Sequence, residues 1–160
     1  MTPAQITEQN AIEAKLNAGL GSTLTHREDL IVLYSDFHKD AYGFRPRGIN
    51  LYAMTTEELE ADYSRFAEVC KANSDAEAIA ESEAVEAFKG LITKTIALGA
   101  DDEVTALRWI VEGAYEEYGF DYEHFLWSQG ILYSSYGKEM TKVIAPLFGE
   151  VYASRNAYPF

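Results

Sequence analysis

No stretch of this chain alternates apolar and polar residues over the length of a strand, whereas apolar residues recur three and four apart in segment after segment. A period near 3.6 lets a helix bury one stripe, and a period of 2 lets a strand bury one face, so the pattern points to helices. The helix-start chemistry agrees. Thr25-His-Arg-Glu28 and Thr55-Thr-Glu-Glu58 are capping boxes, in which the threonine oxygen accepts from the glutamate amide and the glutamate reaches back. Met54 and Leu59 are spaced as a hydrophobic staple around the second box, and Ser74-Asp-Ala-Glu77 offers a third.

The first box opens a helix that places Leu30, Leu33, Tyr34, Phe37 and Ala41 on one stripe and stops at Gly43. The second opens a helix to about Ala72 with Leu59, Tyr63, Phe66 and Cys70 inward. The Ala/Glu run 76–87 starts as a loop or a helix. By Val85 the period is clear, through Phe88, Ile92 and Ile96 to Gly99. Asp101 is placed to cap a helix carrying Val104, Leu107, Val111, Ala114 and Tyr118, and Asp121 a short one through Phe125 and Leu126. Met140, Val143, Ile144 and Leu147 give a last helix that Pro146 kinks or ends. Ahead of all these, residues 4–18 form a weakly amphipathic helix ended by Gly19 and Gly21.

The expected fold is therefore all-α, a compact bundle of five to seven helices around Leu33, Phe37, Phe66, Phe88, Ile92, Leu107 and Val111. At most a short peripheral hairpin, near 131–136 or 150–158, is added. A chain of 160 residues buries roughly 70% of its unfolded surface. Residues 1–160 thus read as a single helical domain, with 1–20 a loosely docked N-terminal helix.

Cys70 is the only cysteine, so no intramolecular disulfide forms, and it reads as a buried helix thiol. Neither a secretory leader nor an apolar run of about 20 residues is visible, which makes a reducing cytoplasm the expected compartment and a membrane partner unexpected. The net charge is −13, with six acids against five bases in residues 1–54 and ten against four in each of 55–100 and 101–160. Direct nucleic-acid binding, which needs a basic face, is not expected. His26 and His124 stand alone at helix starts, and Asp101-Asp-Glu103 suits a first helical turn. No metal site or cofactor is expected. The aromatic run from Tyr115 to Tyr136 reads mainly as core, with some tyrosines left in an acidic aromatic patch.

The densest chemistry lies in Tyr34–Arg47, where Asp36, His38, Lys39, Asp40, Tyr42, Phe44, Arg45 and Arg47 cluster at a helix end and the loop after it. Three readings fit. The residues are a solvated helix end with surface pairs Asp36–Lys39 and Asp40–arginine and a half-buried His38. They are a partner-binding surface, since Tyr and Arg anchors dominate hot spots. Or Asp36, His38, Arg45 and Arg47 serve a small hydrolase or nucleotide-handling enzyme.

Leu33-Tyr-Ser-Asp-Phe-His-Lys-Asp-Ala-Tyr-Gly-Phe-Arg-Pro-Arg47 and Ile96-Ala-Leu-Gly-Ala-Asp-Asp-Glu-Val-Thr-Ala-Leu-Arg-Trp-Ile110 are similar to segments of an uncharacterised family of small accessory proteins of tailed bacteriophages and prophages. With the Tyr118–Tyr133 region the likeness covers about half the chain; no catalytic residue comes over with it. The resemblance implies an acidic phage protein, made in the bacterial host cytoplasm, that binds and inhibits a host defence protein of the kind countered by anti-CRISPR or anti-restriction factors. The partner is then a host protein, including one that itself binds nucleic acid, and homo-oligomerisation is left open. Two binding modes follow: acidic helices imitating nucleic acid, or the Tyr42–Arg47 loop acting as anchor. The modest acid density of 55–160 favours the loop.

Overall fold

A computed structural model describes residues 1–157, which contain six α-helices and no strand. They are α1 (Pro3–Asn17), α2 (His26–Tyr42), α3 (Thr56–Ala97), α4 (Glu103–Tyr118), α5 (Tyr122–Ser128) and α6 (Ser135–Asn156), with single 3-10 turns at Gly21–Thr23 and Leu51–Ala53. The all-α expectation holds. The chain divides into two compact units, Met1–Asp75 and a second beginning at Ala76, and the division falls inside α3.

The first unit is built on α1, α2 and the start of α3. Thr25 caps α2 as the capping box requires, accepting from the Glu28 amide while Glu28 accepts from the Thr25 amide at 2.6 Å. Thr55 and Glu58 repeat this at the start of α3. α1 is fastened by buried Ile12 and by ion pairs Lys15–Glu28 at 2.6 Å and Arg27–Glu8 at 2.9 Å. Arg27 also donates to the Met54 carbonyl, which ties down the end of the 43–55 connection.

The unit's core is Ile12, Leu30, Ile31, Tyr34, Ala41, Leu59 and Phe66. Leu33 and Phe37, expected in the core, are instead 44% and 43% exposed. α2 carries apolar residues on more of its circumference than one stripe. Ile12 of α1 and the Leu51–Tyr52 turn cover the Ile31 side, so Leu33 is left outside. Phe37 keeps one ring contact, with Tyr63 at 5.0 Å. Beneath lies a buried polar pair: the Tyr34 hydroxyl donates to Asp62 at 2.6 Å, and Arg65 pairs with the same carboxylate.

The second unit surrounds Phe88, Ile92, Leu107, Val111, Phe125, Leu126, Ile131, Ile144 and Phe148, with α4 and α5 both packed on α6. The cap of α4 is Asp102, not Asp101; its side chain accepts from the Thr105 amide at 2.7 Å. The Asp121 cap of α5 stands, accepting from the His124 amide.

Two further expectations are corrected. α3 does not stop near Ala72 but runs unbroken for 42 residues. The Ser74 box is unused because the Ala- and Glu-rich sequence after it has high helix propensity, and Asn73 donates to the Ala41 carbonyl. No strand forms at 131–134, α6 takes in 135–136 and 150–156 of the two hairpin stretches, and it passes through Pro146, since Ile144, Leu147, Phe148 and Val151 bury the helix on either side of it. The last hairpin position, 158, lies outside the described residues.

Candidate functional site

α2 ends at Gly43, which takes φ +81°, a conformation that glycine adopts without strain, and its amide closes the helix on the Lys39 carbonyl at 2.7 Å. The chain then folds back on the helix it has left. His38 Nδ1–H donates to the Phe44 carbonyl at 2.8 Å. The Arg45 guanidinium bonds the Ser35 hydroxyl at 3.0 Å and pairs with Asp36 at 2.6 Å. These three contacts hold residues 44 and 45 against the last two turns of α2.

The imidazole of His38 sits at the centre of a ring cluster. Its neighbours are Tyr42 at 4.8 Å, Phe44 at 5.1 Å, Phe66 at 5.4 Å and Tyr34 at 6.4 Å between centroids. Phe66 is buried in the core, so the cluster joins the loop to the interior. The outer members stay in solvent: Phe44 is 62% exposed and Tyr42 43%. Lys39, Gly43, Phe44, Arg45 and Arg47 line a cleft of about 660 Å³.

Of the eight residues singled out, Lys39, Phe44, Arg45 and Arg47 meet in this cleft. Asp36 serves it indirectly by holding Arg45, and His38 by holding Phe44. Tyr42 covers the His38 ring, while Asp40 is exposed and away from the cleft lining. The anticipated Asp36–Lys39 and Asp40–arginine pairs do not form, because Arg45 reaches back to Asp36. Among the described residues Lys39 and Arg47 have no ion-pair partner, so two of the three cations are uncommitted.

Sequence reading did not single out Ser35 or Phe66 for this site. Ser35 acts through a residue ten positions on, for which no periodic signal exists. Phe66 sits on the inward stripe of α3 and was visible only as core.

An Asp–His catalytic pair is not assembled. Nδ1 of His38 is bonded to the Phe44 carbonyl rather than to Asp36, and Asp36 is paired with Arg45. Among the described residues no three His, Cys, Asp or Glu side chains converge as metal ligands, and no helix is long and apolar enough to cross a membrane. No protein-family model, curated protein or solved structure matches the chain.

Proposed function

We propose that the protein works by binding another protein through the loop that follows α2, and that it does so as an inhibitor of a host defence protein. The observation that carries the binding reading is the exposed Phe44, held rigid from behind and flanked by the uncommitted cations Lys39 and Arg47. A phenylalanine fixed in water loses hydrophobic free energy that a partner's pocket would restore. Because His38, Asp36 and Ser35 already order the loop, less conformational entropy is lost on binding. Ring and guanidinium anchors also match the composition of interface hot spots. The inhibitory role and the bacterial host cytoplasm as its setting rest on the resemblance of Leu33–Arg47 and Ile96–Ile110 to phage accessory proteins.

The hydrolase alternative is the weaker one, since His38 and Asp36 are each bonded elsewhere. The experiment is an affinity capture from bacterial lysate with mass spectrometry, comparing the unaltered protein with Phe44→Ala and Arg47→Ala. Each substitution should cost a captured partner about 2 kcal/mol or more, roughly a 30-fold loss of affinity. Arg45→Ala is a poorer probe, because it also frees the loop from Asp36 and Ser35.

A further inference from the structure

The second unit contains a cleft of a different kind. It measures about 210 Å³ and is lined by Glu81, Trp127, Gly130, Leu132, Tyr133 and Ser134. Its construction is local. α5 ends in a turn through Gly130, at φ +72°, whose amide donates to the Trp127 carbonyl at 2.8 Å. A Cβ on Gly130 would come within 3.1 Å of the Ala84 Cβ, so this turn lies directly on α3. Glu81 is three residues before Ala84, on the same face of α3.

The other end of the turn is pinned as well. Ser134, 3% exposed, accepts from the Gly137 amide at 2.8 Å and donates to the Ile131 carbonyl at 2.7 Å. Ile131 is fully buried. Between these fixed points Trp127 and Tyr133 are left 60% and 76% exposed. The Glu81 carboxylate has no ion-pair partner among the described residues. From Ala76 onward the chain carries fourteen acids against six bases.

We propose that this cleft binds a quaternary ammonium or fully methylated lysine head group. Trp127 and Tyr133 supply ring faces, and Glu81 supplies the balancing charge. Indole is the strongest cation-binding ring face among side chains, and a second ring with a carboxylate is the arrangement that captures weakly hydrated cations. An anion would meet Glu81 and the acidic surroundings. A primary ammonium or guanidinium could use the Glu81 carboxylate and the Tyr133 hydroxyl, but Trp127 and Leu132 offer its remaining N–H donors no acceptor, and the Ser134 hydroxyl is already bonded twice. A trimethylammonium group needs no hydrogen bonds and gains from Leu132. This inference does not depend on the α2 loop or on any protein partner.

The test reads the emission of Trp127 in a Trp109→Phe background, which removes the other tryptophan. Choline is titrated against 3,3-dimethyl-1-butanol, its neutral carbon isostere. Choline should shift the emission saturably and bind at least about tenfold tighter than the alcohol, as a charge-dependent ring contact requires. Tyr133→Ala and Glu81→Gln should each weaken choline at least about threefold. Both side chains are exposed, so circular dichroism should be unchanged. Saturation-transfer NMR of the choline methyl groups on the unsubstituted protein makes the same comparison should the Trp109→Phe background not fold.

A further arm uses N-acetyl-trimethyllysine amide. Tighter binding than choline assigns the cleft to a methylated protein chain, and weaker binding to a free small amine. Equal binding of choline and the neutral alcohol overturns the proposal, as does choline binding that neither substitution reduces.

Discussion

Tyr34 shows how one buried hydroxyl fixes the frame under the loop. It is 2% exposed and donates to Asp62, which is itself 9% exposed. Tyr34→Phe would deprive a buried carboxylate of a donor, and should cost about 1.5–3 kcal/mol in denaturant titrations, the range for bonds to charged groups. Burial, then the bond to Asp62, pushes the Tyr34 phenol well above its ordinary value. Burial, followed by the charges of Asp29 and Asp36, pushes Tyr63 up to about 12. Both rings keep their protons in the folded state at a pH where the unfolded chain has released them. Their contribution is therefore complete below the ordinary value of 10 and is lost as pH rises toward 12. Stability measured from about pH 8 to pH 11 should fall, and Tyr63→Phe should flatten that slope. Gly137 is constrained by space. A Cβ there would collide with the Ile131 carbonyl, so Gly137→Ala should cost about 3 kcal/mol in the same titrations.

α3 is the element whose behaviour follows least from its neighbours. Its inward residues, Leu59 and Phe66 near one end and Phe88 and Ile92 near the other, belong to different clusters, while residues 71–83 are exposed on every side. That middle holds its helix by Ala and Glu propensity rather than by packing. Amide hydrogen exchange should be faster across 74–83 than across 59–70 or 88–96. Ala78→Gly should quicken it further, at a cost of about 1 kcal/mol. This is also where sequence reading met its limit. The caps at Thr25, Thr55 and Asp121 and the stop at Gly43 were legible because donor and acceptor lie within four residues of each other. Ser74-Asp-Ala-Glu77 has the same chemistry, yet its competitor, an Ala-rich helix interior, wins without leaving a mark in the motif. The roll of α2 was illegible for another reason: Ile31 and Leu33 both fit a helical period, and only contacts far along the chain decide between them. The site divided likewise. Its residues stood out by density, but the pairing of Arg45 with Asp36 and Ser35 spans nine and ten positions and has no spacing rule.

Over the whole molecule, acid exceeds base by thirteen, and Lys39 and Arg47, exposed and without an ion-pair partner among the described residues, stand against that background. Two mechanisms of partner binding separate by salt. Acidic helices imitating nucleic acid would hold a basic partner by long-range attraction, which fades once the screening length falls to about 8–10 Å at physiological ionic strength. A rigid loop anchored by Phe44 would hold its partner by burial, which salt hardly weakens. The most direct measurement is the affinity of the partner captured from bacterial lysate, at low and high salt, for the unaltered protein, Phe44→Ala/Arg47→Ala and Glu77→Gln/Glu83→Gln. The loop account predicts that the first pair abolishes binding, that the glutamine pair changes it less than about threefold, and that the unaltered protein keeps its affinity in salt. Binding that survives loss of Phe44 and Arg47, but collapses in salt and with the glutamine pair, would contradict it.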